Sequence, residues 1–180
     1  KSDHATILDS VEEDIYRLSE ISERFSKIGS KPKLNSLSLN ELISEVSAYM
    51  NSRLPQNSRI NITHAGDKNM KIKGDWVLLR WALENLVKNA IDAVGTGNGK
   101  ISVIISKTDN GVQLDIRDTG KGINRSDWKN IFRPGYSSKQ RGWGLGLSLT
   151  QRIVEEIHGG SIRVLSSKPG ETIFHLSFPL

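Results

Sequence analysis

The sequence predicts an α/β domain, a two-layer sandwich in which helices cover one face of a mixed, mainly antiparallel sheet, preceded by an N-terminal helix. Three observations carry this. Ile101, Val103 and Ile105 alternate with polar residues, as do Val112, Leu114 and Ile116 after the turn Asp109-Asn110-Gly111. Asn-Gly between two alternating runs marks a hairpin, and one-sided alternation marks a sheet with one buried face. An apolar stripe of Trp76, Leu79, Leu83, Leu86, Val87, Ala90 and Val94 runs at helical spacing. A second hairpin closes the chain, from 161–165 to 171–179 around Lys168-Pro169-Gly170.

In chain order, Leu8, Val11, Ile15, Leu18, Phe25 and Ile28 step by threes and fours, with Ser22 as the polar break. This helix ends at Gly29-Ser30-Lys31-Pro32. It is either packed on its own domain or one arm of a helical dimer, and its narrow stripe favours the second. A helix follows over 38–49, with Leu39, Leu42, Ile43 and Val46 on one face, and then strands near 59–64 and 69–73. Asp75 is a good N-cap for the long helix 76–94, and 95–99 is a glycine-rich turn. After the first hairpin, 120–146 is rich in glycine and poor in pattern, apart from a short helix around 125–132. A helix over 145–158 stops at Gly159-Gly160. No internal repeat is present.

The 180 residues suit one compact domain plus an extra helix. With 36% hydrophobic and 25% charged residues, the composition is that of an ordinary globular chain. Cysteine is absent, which excludes disulfide scaffolds, thiolate zinc sites and cysteine nucleophiles. No apolar run reaches the roughly 20 residues that cross a bilayer. The opening Lys1–Thr6 is neither a signal nor a transit peptide, and its start inside a helical pattern suggests a piece of a longer chain. The net charge of +5 is dispersed, without an aromatic–basic strip, which argues against nucleic acid. A basic surface also suits a domain that binds a polyanionic nucleotide.

Three clusters carry chemistry. Asn85, Asn89 and Asp92 fall at i, i+4 and i+7 on the flank of the long helix, where they either cap neighbouring loops or face a ligand. Asp118-Thr119-Gly120-Lys121-Gly122 follows a strand. An acid there can accept from an exocyclic amine while glycines let the backbone approach a flat ring; the alternative for the motif alone is a tight turn. Gly142-Trp143-Gly144-Leu145-Gly146-Leu147 opens a helix, where bare N–H groups make an anion seat. The spacing is not a dinucleotide fingerprint, and the phosphate-loop and protein-kinase signatures are absent.

Together and in this order the clusters resemble the N box and the two glycine boxes of bacterial sensor histidine kinases. Ile131–Lys139 resembles that family's phenylalanine box, and Gly170–Phe174 its closing segment. The resemblance covers about Leu37 to Leu180. It implies the Bergerat-type ATP-binding fold over 32–180 and the end of a dimerisation (phosphoacceptor) helix plus linker over 1–31. It implies ATP and Mg²⁺ as ligands, with Asn89 holding the metal through its amide oxygen and Asn85 supporting the phosphates or metal. Asp118 is implied to accept from the adenine amino group, Thr172 to support that contact, and Gly120 and Gly122 to admit the ring. Gly142, Gly144, Leu145, Gly146 and Leu147 are implied as hinge and phosphate seat, with Lys139 and Arg141 reaching the γ-phosphate.

The activity implied is transfer of the γ-phosphoryl group to a histidine in two-component signalling. Implied partners are the chain's own dimerisation domain, within a homodimeric parent, and a response-regulator receiver domain. The resemblance also implies a cytoplasmic fragment and is compatible with an inner-membrane anchor in the parent. Two other readings stay open: an ATPase or serine-kinase relative, and a non-catalytic nucleotide-binding dimerisation module. Against fast hydrolysis, the glutamate of water-splitting relatives is replaced by Asn85, and an amide is no general base. Glu84 lies about 140° around the helix from Asn89, away from the pocket. Asp92 departs from the basic residue of several kinases. The four histidines His4, His64, His158 and His175 do not match the acceptor motif, which places the acceptor outside this chain.

Overall fold

A computed structural model describes residues 32–55, 58–66, 69–137 and 143–180. The chain divides into two compact units, Lys1–Lys33 and Leu34–Leu180. The helix expected over 3–28, and with it the division at 31, lies outside the described residues.

The second unit runs β1 (Asn35–Ser38), α1 (Leu39–Ser52), β2 (Ile60–Gly66), β3 (Lys71–Gly74), α2 (Trp76–Val94), β4 (Gly99–Thr108) and β5 (Gly111–Asp118). It continues with two 3-10 turns, Arg125–Asp127 and Asn130–Phe132, then α3 (Gly146–Arg152), a π-helical turn Ile153–Ile157, β6 (Ser161–Lys168) and β7 (Glu171–Phe178). Five strands form one sheet in the order β2-β4-β5-β7-β6. Only the β2–β4 pair is parallel. The fold is therefore the expected α/β sandwich on a mainly antiparallel sheet.

The inward residues of β4 and β5 are those that alternate in the sequence: Ile101, Val103, Ile105, Val112, Leu114 and Ile116 are all buried. Leu39, Leu42, Ile43 and Val46 bury the matching face of α1. In α2 the buried set is Leu78, Leu79, Ala82, Leu83, Leu86, Val87 and Ala90. That face is wider than the expected stripe, because α2 packs on α1, α3 and the sheet together. Trp76 and Val94, in the terminal turns, are half-buried instead. Asp75 caps α2, its carboxylate accepting from the Leu78 N–H at 3.1 Å.

Three features depart from the sequence reading. β1 and β3 form a separate antiparallel pair, and β1 is too short to show a period. The helix expected over 125–132 is two separate 3-10 turns. The helix expected over 145–158 turns from α to π geometry at Ile153. There the His158 ring, 5% exposed, donates from Nδ1 to the Ile153 carbonyl at 2.6 Å. Its Nε2 accepts from the Asp75 N–H at 3.0 Å. The side chain thus closes the π turn and holds the start of α2, which requires the neutral Nδ1–H tautomer.

Burial pushes the His158 pKa below the ordinary 6.5, against the opposing pull of the Ile153 carbonyl and the Asp75 charge. Protons therefore favour the unfolded chain: the contribution of His158 to stability is full above 6.5 and falls as pH drops below it. In His158→Gln, the stability gap to the parent chain should shrink between about pH 7.5 and about pH 5.5, read by urea unfolding at each pH. A gap constant across that range would contradict a neutral buried ring.

Candidate functional site

Strand β5 ends at Asp118, directly opposite Thr172 of β7, and both side chains point to the helical side of the sheet. Asp118 is 4% exposed and Thr172 2%. One Asp118 oxygen accepts from the Gly120 N–H at 2.8 Å. Burial raises the Asp118 pKa, and the Gly120 bond works in the opposite direction.

The loop after Asp118 is fixed at almost every peptide. Thr119 N–H donates to the Lys100 carbonyl, Lys121 N–H to the Ala93 carbonyl at the end of α2, and Gly170 N–H to the Gly120 carbonyl. Ile123 N–H donates to Ser167 Oγ at 2.8 Å, and the Trp128 indole N–H donates back to the Ile123 carbonyl at 3.2 Å. The two glycines of this loop meet protein. A Cβ on Gly120 would lie 2.6 Å from the Ala93 backbone. Gly122 has φ +82°, and its Cβ would lie 2.7 Å from the Lys168 carbonyl carbon in the β6–β7 turn. Both glycines let the Asp118 loop wedge between α2 and that turn.

A cleft of about 940 Å³ opens beside Asp118. Asn89, Asp118, Gly122, Leu147 and Thr172 line it together, and Asp92, Asn124, Asp127 and Tyr136 border it as well. Burial, first, and the neighbouring Asp127 carboxylate raise the Tyr136 pKa above its ordinary 10.0. Asn85 is not among the lining residues. Its amide donates to Thr150 Oγ1 at 2.9 Å, and Thr150 in turn donates to the Gly146 carbonyl at 2.9 Å. A Cβ on Gly146 would lie 2.3 Å from the Asn85 amide oxygen, so the glycine lets α2 and α3 close on each other.

Gly144 has φ +66° and accepts at its carbonyl from the Gly135 N–H at 3.0 Å. That bond ties the segment before α3 to the end of the phenylalanine-box turns. Leu145 precedes the first turn of α3, and no side chain caps that turn. Lys139, Arg141 and Gly142 lie outside the described residues. The structure adds Ser167 and Thr150 to the site's framework, and neither carries a motif. Their roles depend on a strand register and a helix–helix contact, which no local spacing records.

The family model described as histidine kinase-, DNA gyrase B-, and HSP90-like ATPase matches residues 74–180, the span that holds this cleft. The chain belongs to that ATPase family. Sensor histidine kinase ZraS of Escherichia coli (strain K12) is 38% identical over 151 residues, covering 82% of this chain and 31% of that relative. The chain thus spans about a third of the length of that curated relative. The catalytic domain of histidine kinase ThkA, in a nucleotide-free form, superposes with a TM-score of 0.74 at 29% identity, over 81% of this chain and 95% of that one. ThkA in complex with response regulator protein TrrA gives 0.77 at 25% identity, over 95% and 49%.

In this ATPase domain the turn before Asn89 offers no carboxylate to the cleft. Glu84 is turned to Arg80, 2.8 Å away, and Arg80 reaches Glu45 of α1 at 3.3 Å. Among the described residues no group of three or more His, Cys, Asp or Glu side chains stands ready for a metal. No described helix is long and apolar enough to cross a membrane.

Gly120, expected to admit a ring, is not among the lining residues, and the wedge makes it part of the scaffold. Gly120→Ala should therefore cost about 1–3 kcal/mol of folding stability, as overpacking against a backbone does, measured by urea unfolding. A variant as stable as the parent would remove the wedge from the account.

Proposed function

We propose that this domain binds Mg-ATP in the cleft and donates the γ-phosphoryl group to a histidine carried on a dimerisation domain of the parent protein. The single observation that supports it best is the shared cleft: Asp118 and Asn89 line one cavity, from a strand end and a helix flank. A buried carboxylate with one oxygen already bonded suits an exocyclic amine, so Asp118 takes the adenine end. Asn89 then lies toward the triphosphate, with the uncapped first turn of α3; Lys139 and Arg141 stay candidates for γ-phosphate contact from the sequence alone.

The residues fit a nucleotide-borne magnesium ion. The described residues offer no carboxylate cluster at the cleft, so the proposed ion takes most of its ligands from phosphate oxygens and water. The Asn89 amide oxygen is the protein's contribution. Bound there, the ion offsets phosphate charge.

Transfer forms a bond from an imidazole nitrogen to the γ-phosphorus and breaks the bond to the β–γ bridging oxygen. ADP leaves with that electron pair, and the imidazole loses its N–H proton to solvent or a neighbouring base. The domain's work is positioning and charge compensation rather than proton abstraction. Asn85, bonded to Thr150, cannot activate water, and Glu84 is held by Arg80, which supports transfer over hydrolysis. The response-regulator partner is proposed from the ThkA–TrrA complex.

Two substitutions test this. Asn89→Ala should abolish Mg-dependent phosphotransfer, by at least about a hundredfold, in an assay reconstituted with dimerisation helices bearing the acceptor histidine. An unchanged rate refutes the metal assignment. Asp118→Asn should narrow the preference for adenine over guanine nucleotides by about tenfold or more in competition binding. Equal discrimination by variant and parent removes Asp118 from base recognition.

A further inference from the structure

Ser167 does not line the cleft, yet both of its hydrogen bonds end on walls that do. Its Oγ accepts from the Ile123 N–H at 2.8 Å and lies 2.9 Å from Thr172 Oγ1. Ile123 and Thr172 are both lining residues. The strand register decides which of two adjacent serines takes this place. Val164 pairs with Phe174, so an unbroken ladder would set Leu165 against Ile173 and Ser166 against Thr172. A bulge between Val164 and Ser166 shifts the register by one, so that Ser166 pairs with Ile173 and Ser167 with Thr172. Bulges commonly re-aim a side chain in this way.

A hydroxyl has one proton and two lone pairs. Ser167 Oγ already accepts one N–H. If Thr172 donated to it as well, the Ser167 proton would need another acceptor, and no described residue supplies one. With Ser167 as donor, its proton goes to Thr172 Oγ1 and the Thr172 proton is free to point into the cleft. Thr172 then presents a donor beside the Asp118 acceptor.

We propose that Ser167 is a positioning residue for base recognition, which acts by holding the Thr172 hydroxyl as a donor toward the cleft. An acceptor next to a donor matches the adenine edge, where the 6-amino group gives a proton and N1 takes one, directly or through a water. The guanine edge presents the reverse, O6 as acceptor and N1–H as donor, and leaves both protein groups unpaired. This inference rests on the reading that Asp118 holds adenine.

The test uses ATP and 1-deaza-ATP, in which C–H replaces N1, titrated with Mg²⁺ into the 180-residue chain by calorimetry. The parent should bind ATP about tenfold more tightly than 1-deaza-ATP, the size of one hydrogen bond to a buried group. Ser167→Ala should bring the two affinities close to equality, mainly by weakening ATP. Ser167→Thr, which keeps the hydroxyl, and Ser166→Ala should keep the parent's ratio. If Ser167→Ala weakens both ligands equally, or neither, the role is structural and the proposal fails. A parent chain that binds both ligands equally also overturns it, yet leaves the Asp118 reading intact. A parent chain that binds neither overturns the nucleotide site itself.

Discussion

A carboxylate that is 4% exposed is costly to leave half-satisfied, and Asp118 is buried at the one place where the sheet ends in a cleft. One oxygen is spent on the Gly120 N–H. Keeping it there requires a loop that cannot relax outward, and the chain supplies one. The loop is bonded to β4, to the end of α2 and to the β6–β7 turn, with glycines at the two points where a side chain would collide with backbone. The burial of one charge therefore dictates the end of α2, the register of β7 and the turn that follows β6. The other oxygen is left to a donor from the cleft, so the proposed ligand preference would follow from the same constraint as the fold.

Much of this was legible because it is local. Asp75 as N-cap and the bounds of α2 follow from a capping side chain and a helical stripe, and the structure returns 76–94 unchanged. The hairpin at 109–110 follows from Asn-Gly between alternating runs. The motif residues Asn89, Asp118, Gly122, Leu147 and Thr172 could be named because their residue types and order carry the resemblance, and they meet in one cleft.

What escaped the sequence is long-range. The π turn exists because His158 satisfies a carbonyl five residues back and, with its other nitrogen, a peptide N–H 83 residues away. Helical periodicity cannot report either bond. The bulge that selects Ser167 over Ser166 depends on pairing with β7. Asn85 shows the same limit in another form. The family resemblance implied a place near the phosphates or metal, but its amide is engaged by Thr150, and Gly146 is a glycine in part to admit it. One turn of helix was enough to move a side chain from the cleft wall to the seam between two helices.

That seam is one of two ways in which the walls of the cleft are held. Around Asp118, rigidity comes from backbone bonds, close glycine contacts and a hydroxyl pair, none of which need a ligand to form. On the α2–α3 side, Asn89 and Leu147 line the cleft, the first turn of α3 has no side-chain cap, and Glu84 is turned to Arg80. On the nucleotide reading proposed above, such a site is selective before it is reactive: it would hold its ligand in a defined orientation while the reaction waits for a nucleophile brought from elsewhere. The Asn85 amide is no general base, and it bonds Thr150 across the seam, so the residue that offers water no proton acceptor also braces the helices on which Asn89 and Leu147 stand.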